Sequence, residues 1–326
     1  MKGLALHRDY GQSGSSADLV SRLRNCLSAL PRPPQIGLLG DGRRLHLHDG
    51  PIDLIIDADG RPNARLAAFE GAIRRFVGLL DELCRELGQL RAPAETSVRL
   101  LSGKVAQRMQ AAVMPLASHD FITPMAAVAG AVADEILAAM RTTALPFGGL
   151  ARAMVNNGGD IAIHLDPHEK YRIGLVDRPD RGRIFSKTEI TASQAIGGIA
   201  TSGFGGRSFT FGIADAVTVL ARNAAAADAA ATIIANAVDL PGHPSIRRVP
   251  ARSLQSDTDL GDRLVTDHVG MLTESEIGAA LAHGATRAGH LLEMGLIAGA
   301  CLHLRGQSRT CGLPIDDLTR KEAEDA

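Results

Sequence analysis

The chain has 326 residues, of which 45% are hydrophobic, 22% charged and 3% aromatic, and its formal net charge is −1 at pH 7. This composition is typical of a soluble globular protein, and the balanced charge and scarce aromatic side chains argue against a nucleic acid or an anionic membrane as partner. No stretch approaches the apolar length of a membrane span, and the N-terminus lacks the apolar core of a signal peptide, so we expect a cytoplasmic protein.

The chain is expected to form one main domain between two short flanking segments. Residues 1–35 are interpreted as a peripheral N-terminal extension, in which Ser13 to Leu30 is predicted as a helix capped by Ser16. Residues 36–312 are expected to form a single domain that opens with a β-meander, and Asp57 to Gly60 is predicted as a turn within it. The charged residues 313–326 are expected to be frayed.

Three helices are predicted in the first half of the domain. Apolar residues recur at helical spacing from Asn63 to Leu90, and Lys104 to Met114 forms a second helical segment. Thr123 stands directly before Pro124, which favours the first position of a helix. Thr123 is therefore predicted to cap a helix from Met125 to Arg141.

The start of the third helix carries an unusually small face. Ala127, Gly130 and Ala131 lie at spacings of three and four, along one side of the predicted helix. Such a face permits close approach either of another backbone or of a flat ligand. Both interpretations remain open on the sequence.

A hairpin is predicted around residues 156–160. A β run from Ala151 to Val155 ends at Asn156-Asn157-Gly158-Gly159-Asp160, and a strand from Ile161 to Leu165 follows. Asn, Gly and Asp supply the positive-φ conformations of a sharp turn. The alternatives are a plain hairpin turn and a turn that faces a ligand.

The stretch from Gly197 to Val238 holds the strongest local signals. Thr201, Ser202 and Gly203 follow a short apolar run, and a β-branched run comes next. An alanine-rich segment from Ala224 to Val238 is predicted as a helix with Asn223 as its N-cap.

Two oxygen-bearing side chains stand out in that helix. Asp228 and Thr232 are four residues apart and so lie on the same face, about one turn from each other. A carboxylate and a hydroxyl on one face suit Mg²⁺, which prefers hard oxygen ligands. The alternative is a solvated Asp228 and a Thr232 hydroxyl that bonds a backbone carbonyl.

The C-terminal part is predicted to hold one more helix and a final strand. Pro241 to Asp262 is interpreted as a long surface loop or lid, Thr273 to Leu292 as a helix, and Leu296 to Leu304 as the last strand. Strands in meanders and helices in long blocks predict an α+β fold with antiparallel-rich sheets and segregated helices. The P-loop, G-x-G-x-x-G and G-x-S-x-G motifs are absent from the sequence.

Several of these segments together resemble the ApbE-like superfamily. The resemblance rests on GIATSG at 198–203, VTV at 217–219 and AADAAAT at 226–232. VNNGGDI at 155–161 is similar to the superfamily's D-x-G-G-D segment, and AGAVAD at 129–134 is similar to its K-G-Y-A-x-D segment. The text from Phe121 resembles a functionally uncharacterised cytoplasmic branch, a UPF-type family.

The resemblance implies an ApbE-like fold and a ligand cleft. Characterised members use Mg²⁺ to move FMN from FAD onto a protein Thr or Ser. Carried over by motif, the metal ligands are Asp228 and Thr232. The implied ligand-binding residues are Thr123, Met125, Gly130, Asp134, Gly158, Gly159, Asp160, Thr201, Ser202 and Gly203. No catalytic residue is assigned.

This sequence differs from the flavin transferases at residues that the transfer reaction would need. The transferases carry an H-x-I-D-P segment, which has no counterpart between Phe204 and Ala216, and the Lys and Tyr of K-G-Y fall on Ala129 and Ala131. The leading hypothesis is a cytoplasmic Mg²⁺-dependent enzyme or carrier, with transferase or hydrolase chemistry, that binds FAD, FMN or a related diphosphate compound. It is expected to be a poor protein flavinyl-transferase.

Two alternatives remain open beside it. One is an enzyme whose cleft has been adapted to a small heterocyclic metabolite, and the other is a non-catalytic flavin-binding partner protein. The expected partner is a small molecule, with a homodimer left open.

Overall fold

The computed structural model describes residues 15–94, 100–176, 184–206, 208–312 and 316–317. The strands in these ranges are β1 (Gln35–Leu38), β2 (Leu45–Asp49), β3 (Ile52–Gly60), β4 (Leu150–Asn157), β5 (Asp160–Leu165), β6 (Lys170–Val176), β7 (Ile184–Thr191), β8 (Gly198–Ser202), β9 (Ala216–Ala221), β10 (Ile246–Pro250), β11 (Leu264–Val269), β12 (Gly299–Leu304), β13 (Gln307–Gly312) and β14 (Asp316–Asp317). The helices are α1 (Ser16–Leu27), α2 (Pro62–Phe76), α3 (Leu79–Arg85), α4 (Leu87–Leu90), α5 (Lys104–Val113), α6 (Val128–Ala144), α7 (Ala224–Ala237), α8 (Ala251–Leu254) and α9 (Glu274–Glu293). Short 3₁₀ turns cover Pro124–Ala127, Leu145–Phe147 and Ala192–Gln194.

One large sheet organises the fold. Its strand order is β1-β2-β3-β4-β5-β8-β9-β12-β13, and neighbouring strands run antiparallel throughout. Between β5 and β8 the chain leaves to form the β14-β7-β6 sheet, and β10 pairs with β11 in a separate ribbon. The arrangement confirms the α+β prediction. None of the helices in the described ranges combines the length and apolar character that a membrane crossing requires.

The helices cover one face of the large sheet and enclose the main core. Phe69 and Phe76 of α2 and Ile136 of α6 are fully buried there, beside strand residues such as Val155. The other face holds a smaller apolar cluster in which Ile163, Ile199, Leu220 and Cys301 meet Ile190 of β7. Because successive strand side chains point to opposite faces, this division shows which strand residues face the helices.

The first helix differs from the prediction in its cap. Ser15, not Ser16, is the N-cap, because Asp18 three residues later completes a reciprocal capping box with it. Leu19 and Leu23 of α1 are buried, and the Arg24 guanidinium donates to the Ile36 carbonyl at the outer strand of the sheet.

Two predictions in the first half of the domain were wrong. Asp57 to Gly60 is the end of β3 and not a turn, because it pairs with β4 and its carboxylates bind Arg152 of β4 and Arg43 in the turn before β2. The predicted helix from Asn63 to Leu90 is broken after Phe76, where Gly78 takes a φ of 76° that a helix interior cannot accommodate.

Two predictions near the C-terminus were also wrong. The segment from Pro241 to Asp262 is not a simple loop, because it contributes β10 and α8 to a compact ribbon unit with β11. Leu304 does not end the last strand of the sheet. Arg305 and Gly306 both have positive φ and form a two-residue turn into β13. Most of residues 313–326 lie outside the described residues.

Candidate functional site

The hairpin between β4 and β5 presents Asp160 to the helices. Asn157 pairs with Asp160 across Gly158 and Gly159, whose φ values of 65° and 112° favour glycine. Asp160 shares its strand face with Ala162 of the helix-side core. The Asn157 side-chain amide donates to the Ala129 carbonyl at 3.1 Å, which ties this hairpin to the start of α6.

The two adjacent hydroxyls of β8 point to opposite faces of the sheet. The Thr201 hydroxyl hydrogen-bonds that of Thr218 at 2.9 Å, on the face that carries Ile199. Ser202 shares the helix-side face with Ala200. The two hydroxyls therefore do not converge, and Ser202 is the one that faces the same side as Asp160.

The backbone of β8 also holds Asp160. The Thr201 amide donates to Asp160 Oδ1 at 3.3 Å. Gly203, which follows β8, is packed so closely that an added Cβ would lie 2.4 Å from the Asp215 carbonyl oxygen. Gly203 therefore serves the close packing of this turn.

Helix α7 brings Asp228 to the same corner. Its predicted N-cap is confirmed, because Asn223 Oδ1 accepts the Ala226 amide at 2.8 Å. Asp228 Oδ2 accepts the Gly130 amide at 3.0 Å. Thr232 lies one turn along and is partly exposed. Together with Asp160, these side chains form what we call the carboxylate corner: Asp160, Asp228 and Thr232.

The surroundings of Asp228 disfavour its charged form. Burial raises the pKa of Asp228 well above its ordinary value, and the negative charge of Asp160 raises it further. The amides of Gly130 and Ala129 act in the opposite direction, because they donate to the ionised form. The net effect of these surroundings is to favour the protonated form of Asp228.

Thr123 precedes a helix as predicted but does not cap it. The chain first forms the 3₁₀ turn Pro124–Ala127, and α6 begins at Val128. The buried Thr123 hydroxyl donates to Asp259 instead, because the β10–β11 ribbon packs over this segment. Met125 is partly buried against the main core.

The small face of α6 accommodates a backbone. A Cβ added to Gly130 would lie 2.2 Å from the Ala224 carbonyl oxygen, so the start of α7 occupies the space beside it. Ala131 is fully buried in the main core. Of the two interpretations of this face, the structure shows close approach of a second helix.

Asp134 anchors the start of α7. Its two carboxylate oxygens accept the Ala224 amide at 3.0 Å and the Ala225 amide at 2.9 Å. Burial raises the pKa of Asp134 to about 6, although both amides and Arg108 favour its charged form. Asp134 thus acts as a helix cap contributed by a neighbouring helix, a role that no local sequence pattern indicates.

One cavity adjoins Asp134 but lies away from the carboxylate corner. Its volume is about 150 Å³, and its lining includes Arg108, Asn223 and Ala226. Ala226 and Asp228 are two residues apart and so point to different sides of α7. This cavity therefore does not open onto Asp228.

A second cavity lies just beyond Ser202. Its volume is about 220 Å³, and it is lined by Phe204, Gly206, Ser208, Phe209, Thr210, Leu254, Thr266 and Asp267. The sequence offered no signal for this cavity. Its walls come from the loop after β8, from α8 within the segment that was predicted as a loop, and from β11, for which no element was predicted.

The carboxylate corner offers few protein ligands for a metal ion. Within the described residues, no group of three or more His, Cys, Asp and Glu side chains is arranged to hold a metal ion. A cation here would rest on Asp160 and Asp228, with the Thr232 hydroxyl beside them. This suits Mg²⁺, which binds one or two carboxylates and fills its shell with water or phosphate oxygens.

Comparison with known proteins finds one family and a set of archaeal relatives. A family model described as AbpE bacteria matches residues 36–310. A UPF0280 protein of Methanopyrus kandleri is 35% identical over 191 residues, 56% of this chain and 69% of that protein. UPF0280 proteins of Methanoregula boonei and Methanothrix thermoacetophila are 34% identical over 137 residues and 38% over 117. These two matches cover 42% and 36% of this chain and 56% and 46% of the relatives, so the chain spans about half of their length.

Proposed function

The chain belongs to the AbpE bacteria family, and on this basis we propose that it is a Mg²⁺-dependent protein that binds a phosphate-bearing small molecule. The family assignment confirms the resemblance to the ApbE-like superfamily. The cation is held at the carboxylate corner, and FAD and FMN are the first ligands to test.

The single observation that carries this proposal is the opposition of Asp160 and Asp228. The negative charge of Asp160 raises the pKa of Asp228, and each of the two carboxylates accepts a backbone amide. A divalent cation between the two carboxylates would offset their repulsion, and Thr232 places a third oxygen on the same helix face.

The chain's own residues orient the corner from three elements. The amide of Gly130 holds Asp228, the amide of Thr201 holds Asp160, and the Asn157 side chain fixes the hairpin to α6. Mg²⁺ at this point would neutralise phosphate oxygens and stabilise a phosphate leaving group. Ser202 faces the same side of the sheet and is placed to donate its hydroxyl to a phosphate oxygen.

A second candidate is a Mg²⁺-dependent enzyme for a smaller heterocyclic phosphate. The two cavities have volumes of about 150 and 220 Å³. Sites for drug-sized ligands usually enclose about 300–1,000 Å³. A whole flavin dinucleotide is larger than either cavity, which favours a ligand with fewer rings. A non-catalytic flavin-binding partner protein remains the third candidate.

Equilibrium binding tests whether ligand binding depends on Mg²⁺ and on phosphate. FAD and FMN are titrated onto metal-free protein and onto protein with excess Mg²⁺. We expect affinity to rise with Mg²⁺ for any phosphate-bearing ligand and to stay unchanged for riboflavin, which lacks phosphate. Binding of FAD with equal affinity in EDTA and in Mg²⁺ would contradict the proposal.

A further inference from the structure

The cavity beyond Ser202 combines apolar faces with hydrogen-bonding groups. The rings of Phe204 and Phe209 are partly buried at its wall, and Leu254 is 48% exposed beside it. Aromatic rings and an alkyl side chain around one space are the usual surroundings of a flat ring system. The cavity therefore has two aromatic side chains and an alkyl side chain in its lining, which the carboxylate corner lacks.

Among the described lining residues, the polar groups include one carboxylate and three hydroxyls. Asp267 is held by Arg247, whose Nε donates to it at 2.6 Å. The Thr210 and Thr266 hydroxyls are already engaged, because they donate to Asn236 Oδ1 and to the Phe211 carbonyl. The Asp267 carboxylate and the exposed Ser208 hydroxyl can accept hydrogen bonds from a ligand. Ring N–H groups of a nitrogen heterocycle supply such donors.

The volume of the cavity limits the size of the ring system. An apolar cavity of about 150 Å³ holds benzene. At about 220 Å³ this cavity has room for one or two rings. A three-ring system with its substituents would extend beyond this space.

Helix α7 links the cavity to the carboxylate corner. Asp228, Thr232 and Asn236 lie at successive spacings of four, along one side of α7. Asn236 Oδ1 accepts from Thr210, a wall of the cavity. At a rise of about 1.5 Å per residue, Asp228 and Asn236 are about 12 Å apart along the helix axis. One ligand with a linker of several atoms can span that distance.

From these observations we infer that the cavity is the ring subsite of the ligand whose phosphate binds at the corner. The ligand class is a nitrogen heterocycle of one or two rings joined through a linker to phosphate. This inference rests on the proposed function for its phosphate end, whereas the ring end depends only on the cavity. The two ends can be tested separately.

The test uses ring compounds without phosphate. Lumazine, hypoxanthine and nicotinamide are titrated onto the wild type and onto Ser208→Trp, which fills the cavity from an exposed position. Phe209→Ala removes one stacking face, and Phe147→Ala is a matched control, because Phe147 is also partly buried but lies outside the cavity. We expect at least one probe to bind saturably and Ser208→Trp to weaken it by about tenfold or more. Phe147→Ala should leave its affinity unchanged.

The ring subsite and the phosphate site at the carboxylate corner can fail independently, and each failure gives a different experimental result. If none of the three probes saturates at about 10 mM, or if Ser208→Trp binds them as the wild type does, the ring subsite is wrong. Ser208→Trp should keep the stabilisation by Mg²⁺, which shows that it folds. Asp228→Asn should keep probe binding and lose the Mg²⁺ response. The added affinity of inosine monophosphate over hypoxanthine should require both Mg²⁺ and Asp228.

Discussion

The carboxylates of Asp134 and Asp228 each accept backbone amides from the first turn of the helix that carries the other. Asp134 on α6 accepts the amides of Ala224 and Ala225, and Asp228 on α7 accepts the amide of Gly130. The free amides at a helix N-terminus favour a negative charge, so each helix stabilises the other at its start. The same contact leaves Asp228 facing Asp160.

The close packing of α6 against the start of α7 predicts that Gly130→Ala destabilises the protein. The added Cβ would meet the Ala224 backbone at 2.2 Å, and backbone cannot move aside as a flexible side chain can. We expect a loss of about 2–4 kcal/mol in the free energy of unfolding, measured by urea denaturation.

A matched control is available on α9. Gly289 is also helical, but a Cβ added there meets nothing within 4 Å. Gly289→Ala should raise stability by about 0.5–1 kcal/mol, because alanine is the better helix former. Equal stabilities of the two variants would show that α6 and α7 do not pack as described.

The raised pKa of Asp134 predicts that the free energy of unfolding of the metal-free protein depends on pH. Burial raises its pKa from 3.8 to about 6, so the folded state binds a proton more readily than the unfolded state. The free energy of unfolding therefore falls as pH rises from about 4 to about 6. Above about pH 6 this loss of stability is complete and amounts to at most about 3 kcal/mol.

The Asp134→Asn variant isolates this effect from other titrations. The difference in unfolding free energy between wild type and variant is measured from about pH 4 to about pH 7. We expect the wild type to lose stability relative to the variant as pH rises. A difference that stays constant with pH would mean that Asp134 has an ordinary pKa.

Asp228→Asn should stabilise the metal-free protein at pH 7. The amide oxygen of Asn can still accept from Gly130, but the repulsion with Asp160 is removed. We expect a gain of about 1–2 kcal/mol in thermal denaturation without divalent ions. A loss of stability would indicate that the negative charge itself holds the two helices together.

The chain is predicted to be a poor protein flavinyl-transferase. The interval from Phe204 to Ala216 contains no histidine and no Asp-Pro pair. The structure uses this interval for packing, since the Phe204 amide donates to the Ala214 carbonyl and the Phe211 amide to Asn236. A target protein with a flavinylation motif should remain unlabelled after incubation with FAD and Mg²⁺, under conditions in which an authentic transferase labels it. Stoichiometric covalent FMN on the target would contradict this prediction.

Much of the local structure around the corner could be predicted from the sequence. Asn223 as a cap, the alanine-rich helix after it and the Gly158-Gly159 hairpin all depend on neighbouring residues, so local patterns reveal them. The spacing of Asp228 and Thr232 likewise placed both side chains on one helix face.

The remaining features depend on partners distant in sequence. Thr123 bonds Asp259, and Asp57 and Asp59 pair with Arg43, in the turn before β2, and with Arg152 of β4. The opposite orientation of Thr201 and Ser202 follows from strand alternation once β8 is known to end at Ser202. No pattern in the sequence shows that Asp134 caps a helix 90 residues away.

The stabilisation of the protein by Mg²⁺ tests the central claim most directly. Melting temperatures are measured at increasing MgCl₂ for the wild type, Asp228→Asn and Asp166→Asn, the last being a control at an exposed carboxylate outside the corner. At a free concentration 100 times Kd, one bound ion should stabilise the wild type and Asp166→Asn by about 2.7 kcal/mol. Asp228→Asn should show no increase. If Asp228→Asn keeps the full response to Mg²⁺, the cation does not bind at the carboxylate corner.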